Sequence, residues 1–147
     1  MKKLLSFIIA VFLCSCSVNN KSQIVDKSQK GEKISIIALI SNPEKYHQKK
    51  IIVDGYFNFQ KDGDAIYVNK SDYENLLYKN GIYLSINQDF LIDQGIQTPY
   101  RGYVSIEGVF NKDKLGSYNF YSGTIEYITS ISRLYKRGSE SDEFNMD

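Results

Sequence analysis

The chain has 147 residues, with 18 Lys and Arg against 17 Asp and Glu, for a net charge of +1. That length suits one domain, and the near-balanced charge lacks the basic footprint of a nucleic-acid binder. Its two cysteines, Cys14 and Cys16, lie close together near the start. A disulfide framework or a thiolate site is therefore not expected in the rest of the chain.

Met1 is followed by Lys2 and Lys3, and Leu4 to Leu13 is apolar except for Ser6. This run is too short to cross a bilayer as a helix, which needs roughly 20 apolar residues. It ends in Leu13-Cys14-Ser15-Cys16, which resembles a bacterial lipobox. The resemblance implies a lipoprotein signal peptide over 1–15, removed before Cys16, and acyl chains such as palmitate on Cys16. A single chain anchors only marginally, at about 0.8 kcal/mol per buried CH₂. Bacterial lipoproteins carry two or three, so the expected anchor is permanent. The implied location is the cell envelope. Ser17, rather than Asp, follows the cysteine, which by the same resemblance implies the outer membrane, facing the periplasm, in a host with two membranes.

Removing Lys2 and Lys3 takes the net charge to −1. Residues 16–33 comprise the lipidated Cys16 and a polar, weakly basic stretch whose one apolar pair is Ile24-Val25. Such a stretch cannot bury enough surface to fold and reads as a flexible tether. Residues 136–147 read as a disordered acidic tail. The domain is expected over 34–135.

Ser35 is placed to cap a short helix whose apolar face is Ile36, Ile37, Leu39 and Ile40. Asn42-Pro43 ends it and starts a second turn, Pro43 to Tyr46. Ile51 to Phe59 predicts a strand with Ile51, Val53, Phe57 and Phe59 on one face. Lys61-Asp62-Gly63-Asp64 is a turn signal, and Ala65 to Asn69 a second strand. Ser71-Asp72-Tyr73-Glu74 has the form of a capping box, which predicts a helix over 72–80 ended by Gly81. Ile82, Leu84 and Ile86 alternate along a third strand. Asn87 to Gly102 reads as a long loop with room for one helical turn. Tyr103 to Asn111 predicts a fourth strand, and Tyr118 to Arg133 a fifth, with Gly123 as a candidate break in it.

The run Val53-Asp54-Gly55-Tyr56-Phe57-Asn58 is echoed by Ile106-Glu107-Gly108-Val109-Phe110-Asn111. Glycine inside a strand marks a bulge or bend, and bent strands let a small barrel close. These two are read as paired corner strands. Together with Ile36 to Gly55 and Gly123-Thr124-Ile125, they resemble the OB-fold domains of small, uncharacterised exported bacterial proteins. The expected class is thus mainly β (α+β): a small five-stranded OB-like barrel with one or two short helices.

Few residues promise chemistry. His47 is the lone histidine and sits in a lysine-rich turn, so it reads as an ordinary surface residue. Lys61 to Asp64 lacks the following Glu of a calcium loop. Asp54 and Glu107 point outward from neighbouring strands and could act as an acid/base pair only if a cleft brought them together. No phosphate loop, nucleophile elbow or dinucleotide fingerprint is present. No catalytic residue, metal site or cofactor is expected.

Tyrosine is the better signal, with twelve against no tryptophan. Tyr56, Tyr67, Tyr83 and Tyr103 alternate outward and form the candidate ligand face, as OB-type barrels use such a face for oligosaccharides and oligonucleotides. Tyr offers a flat ring and a hydroxyl at low entropy cost. The competing role is to cover the barrel beneath helices and loops. The expected function is a membrane-anchored, non-catalytic envelope binding module for a protein or glycan partner, without nucleic acid. An envelope-assembly accessory or immunity-type inhibitor is the alternative, and an enzyme the third class.

Overall fold

A computed structural model describes residues 30–59, 64–97 and 99–135. The expected signal peptide, Cys16, most of the tether, the acidic tail and the Lys61-Asp62-Gly63 turn lie outside these residues.

In chain order the elements are β1 (Glu32–Ser35), α1 (Ile36–Ser41), α2 (Pro43–Tyr46), β2 (Lys50–Asn58), β3 (Ala65–Tyr67), α3 (Lys70–Glu74), β4 (Gly81–Leu84), α4 (Gln88–Asp93), β5 (Arg101–Asn111) and β6 (Thr124–Arg133), with 3₁₀ turns at Tyr78–Asn80 and Ser117–Asn119. Strands β2, β3, β4, β6 and β5 pair in that order, and β5 returns to β2, so five strands close into a barrel. All these pairings are antiparallel except β4 with β6, which run parallel over Tyr83–Thr124 and Leu84–Ile125. The result is the expected mainly β, OB-like barrel, with one added strand.

The two echoing segments are partners. Val53 lies directly opposite Ile106, Gly55 opposite Val104 and Gly108 opposite Ile51. Both glycines allow a close approach. A methyl group on Gly55 would stand 2.5 Å from the Tyr67 carbonyl oxygen, and one on Gly108 would stand 2.5 Å from Ile125 Cγ2. The strands could not otherwise pass so near their neighbours, which is the requirement at a barrel corner.

Inward residues are aliphatic or Phe. Ile51, Val53, Phe57, Ile66, Ile82, Leu84, Val104, Ile106, Phe110 and Ile125 are fully buried. Ile36 and Leu39 of α1 and Leu91 of α4 join the same cluster. Ser35 Oγ accepts the Ala38 N–H, the cap expected from sequence.

Four expectations need correction. Glu32 and Lys33, assigned to the tether, begin β1, which pairs parallel with Ile51 to Asp54 along the part of the β2 edge that short β3 does not reach. The 72–80 helix is only one turn, Lys70–Glu74, capped by Asn69 rather than Ser71, with the Asn69 side chain accepting from Asp72 N–H at 3.0 Å. The chain then enters the left-handed region at Leu76 (φ 57°) and continues as a 3₁₀ turn, so Gly81 opens β4 instead of ending a helix. The 87–102 segment holds α4, capped by the Asn87 side chain on Phe90 N–H and followed by left-handed Gly95. It lies between the third and fourth barrel strands. Finally, β6 starts at Thr124, just past the candidate break at Gly123, rather than at Tyr118, because the consecutive Tyr118 and Asn119 both have positive φ and cannot extend the ladder.

Candidate functional site

The structure brings the four sequence-derived tyrosines onto the outer side of the barrel but does not leave them equally open. Tyr56 stands directly opposite both Tyr103 on β5 and Tyr67 on β3. Tyr83 on β4 faces Ala65, two positions from Tyr67 and on the same side. Tyr56 and Tyr67 are nevertheless only 5% and 3% exposed, Tyr83 is half-buried, and Tyr103 is 44% exposed.

The cover comes from other rings. Tyr73 of α3 lies 5.7 Å from both Tyr56 and Tyr67, and Tyr103 packs edge-on to Tyr56 at 5.5 Å. Tyr121 rests on Tyr67, Tyr78 and Tyr83, at 6.3, 5.8 and 5.6 Å. Such tilted and edge-to-face pairs add about 0.5–1.5 kcal/mol each beyond area burial. Burial and a hydrogen bond to Tyr121 push the Tyr67 phenol far above its ordinary pKa. Burial likewise raises that of Tyr121. The centre of the face is a second, phenolic core. Tyr56 and Tyr67 are its floor rather than surfaces open to a ligand.

The run does reach solvent at its ends. Beyond Tyr121, Tyr78 stacks on Phe120 at 5.2 Å and 23°, and Tyr118 follows Phe120 at 5.6 Å. Tyr118 is 86% exposed and Phe120 46%. Leu76 and Leu77, next to Tyr78 in the chain, are also broadly exposed. Tyr118, Asn119 and Leu76 all have left-handed backbone, with φ of 55°, 60° and 57°. Each such residue costs on the order of 1–3 kcal/mol and persists only where its surroundings enforce it.

Those surroundings are explicit. Lys79 Nζ donates to the carbonyls of Asn119 (3.3 Å) and Tyr121 (3.1 Å), and Ser122 Oγ donates to Lys79 C=O at 2.7 Å. Gly116, at φ 66°, lets the loop lie against the Tyr83 ring where a methyl would stand 2.6 Å away. The loop between the last two barrel strands is thus bolted onto β4. In OB barrels the second and third strands and this loop are the usual ligand side. The sequence reading missed Tyr118 and Phe120 because it placed Tyr118 in a strand. The signal that could have found them is the Gly116-to-Gly123 interval, too rich in turn residues for a continuous strand.

The candidate carboxylates are separately engaged. Asp54 pairs with Lys33, whose ammonium also reaches Ser105 Oγ at 3.3 Å. Glu107 accepts from Gly31 N–H at 2.8 Å and pairs with Lys50 at 3.2 Å. The Gly31 hydrogen bond, with help from Lys50, holds its carboxyl below the ordinary value. A general acid requires the opposite shift. His47 Nδ1 accepts from Lys112 N–H at 3.3 Å, and its Nε2 lies 3.5 Å from Asp113, so the ring ties the α2 turn to the chain after β5. Among the described residues no three His, Cys, Asp or Glu side chains are grouped to hold a metal ion. No helix among them is long and apolar enough to cross a membrane.

Compared with known proteins, the chain matches no family model and none of the curated sequences significantly.

Proposed function

We propose that this protein is a non-catalytic binding module of the cell envelope, held by lipid on Cys16, that presents the Tyr118–Phe120 end of its aromatic run to a protein partner. The observation that carries this reading is the pair of exposed rings on a loop held in left-handed backbone by Lys79 and Ser122. Protein interfaces concentrate their binding energy in a few rigid aromatic anchors set beside apolar neighbours. Here Leu76 and Leu77 are the neighbours, and the buried tyrosines beneath prevent the anchors from collapsing. Tyr103 marks the opposite end of the same face.

The lipobox-like segment supports the location, and the polar stretch between Cys16 and β1 supplies reach. An assembly accessory or an inhibitor of an envelope toxin would use the same surface, since both act by docking. The test is proximity labelling in the native host with three forms: the natural chain, Cys16→Ser, and a Tyr118→Ser/Phe120→Ser double variant. One partner enriched by the natural chain and lost in both variants is expected. Equal labelling by the double variant would remove the aromatic end from the reading, and equal labelling by Cys16→Ser would remove the anchor.

A further inference from the structure

A second cleft lies away from the aromatic run, between the Ser85–Phe90 segment and the first half of β6. We infer that this cleft is a subsite for one uncharged sugar ring, with Tyr127 as its stacking platform and Glu126 and Asn87 as its polar contacts. This goes beyond the docking role of the 118–120 loop and uses none of its residues.

The cleft exists because β6 is bulged. Glu107 on β5 faces Ser130 and Val109 faces Glu126, so one residue on β5 is matched by three on β6. Gly108 makes this possible, since a methyl there would stand 2.9 Å from the Glu126 carbonyl oxygen. The extra length is taken up at Tyr127, whose φ is 47°. Left-handed backbone disfavours a tyrosine and suits glycine or asparagine. A large ring is therefore held at a costly position, and it is 70% exposed rather than packed into the core. Bulges commonly re-aim a side chain next to a site, and strain of this kind collects where it serves binding.

The cleft beside it has a volume of about 340 Å³, at the small end of ligand sites. Its apolar walls include Ile86, Phe90 and Ile128, and its polar groups include Asn87 and Glu126. The Asn87 amide oxygen accepts the Phe90 N–H at 2.8 Å, and its NH₂ supplies two donors. Glu126 is held by Asn111 Nδ2 at 2.8 Å on one oxygen and by Lys114 on the other. Burial pushes its pKa up, but Lys114 and Asn111 outweigh this and leave it below the ordinary value. Each oxygen keeps a lone pair for a further donor.

These features select a chemistry. An ionised acceptor repels anions, and its existing Lys114 partner removes the demand for a cation. A purely apolar guest would make no use of the spare lone pairs of Glu126 or of the Asn87 NH₂. A pyranose ring meets both halves. Its C–H face lies on Tyr127 and the apolar wall, its hydroxyls donate to Glu126, and its oxygens accept from Asn87.

The test is a ¹⁵N NMR titration of residues 16–147 carrying Cys16→Ser. The probes are methyl α-glucoside, methyl β-galactoside and N-acetylglucosamine, each to about 50 mM, which reaches millimolar affinities. At least one sugar is expected to shift the amides of 85–90 and 126–128 while leaving 117–121 unmoved. Tyr127→Gly is expected to unfold at higher temperature than the natural chain and to bind at least about tenfold more weakly. Tyr127→Asn is the second variant should the glycine form fold poorly, and Glu126→Gln is expected to weaken binding while keeping its Lys114 contact. Absence of shifts with all three sugars, shifts located elsewhere, or undiminished binding by the Tyr127 variants would overturn the proposal. Partner capture through Tyr118 and Phe120 stands or falls separately.

Discussion

The barrel interior and the tyrosine layer on its outer side are both buried, yet they are built from opposite materials. Inside, the core cluster is almost entirely Ile, Leu, Val and Phe, with the Tyr46 ring at its edge. Outside, Tyr67 and Tyr121 are nearly as inaccessible, but each carries a hydroxyl that needs a partner, and they supply one to each other. The interior excludes water and sets stability. The outer layer covers the sheet with rings that pass without a break from covered to exposed, ending at Tyr118. A purely aliphatic cover would bury the sheet as well but would offer no graded, amphipathic exit toward a partner.

The sharpest way to break this comparison is in the core. Phe57→Ala should cost about 3–5 kcal/mol, enough to unfold a marginal domain, as read from urea denaturation. Gly55→Ala attacks the same region by overpacking. Its methyl meets the Tyr67 carbonyl oxygen, which cannot swing aside, as well as the buried Ile36 and Ile66 side chains, so a loss of about 1–3 kcal/mol is expected. An unchanged urea midpoint would show that the corner does not depend on close approach.

The outer layer should respond to pH through its buried phenols. Tyr67 and Tyr121 have raised pKa values when folded, so between the unfolded tyrosine value of 10.0 and the folded one, the native state holds protons that the unfolded state has lost. Stability is then unaffected below about pH 10 and falls as pH rises above it, by up to about 1.4 kcal/mol per pH unit for each such group. Phenolate absorbance should show that Tyr67 and Tyr121 ionise only together with unfolding. Tyr121→Phe should remove part of that signal and, by breaking one buried hydrogen bond, cost about 1 kcal/mol. The smallest stability effect belongs to the open end. Tyr118→Ser should stay within about 0.5 kcal/mol of the natural chain, and any larger loss in thermal melting would make the ring structural.

Much of the architecture was legible in the chain. Period-2 alternation of apolar residues located β2, β4 and β5, because a strand buried on one side must repeat every second residue. The Val53–Asn58 and Ile106–Asn111 echo identified the corner pair, because a side chain at Gly55 or Gly108 would collide with a neighbour. Ser35 was identifiable as a cap from its own chemistry. Other features had no local signature. Glu32 and Lys33 look like tether and become strand only because the β2 edge beside them lacks another partner. The capping box at Ser71 lost to Asn69, one of several near-equal caps whose choice depends on where β3 ends.

The aromatic face divides the same way. By itself the sequence determined that Tyr56, Tyr67, Tyr83 and Tyr103 point away from the core, since alternation sets the side of a strand on which a residue lies. Only the tertiary structure decided which of them meet water. Exposure depends on what crosses above the sheet, and Tyr73 reaches Tyr56, and Tyr121 reaches Tyr67, from other elements of the fold. The same holds for Tyr118, Phe120 and Tyr127. Their side chains stand open because backbone strain, bulges and long-range hydrogen bonds hold them so, and none of these is a property of nearest neighbours in sequence.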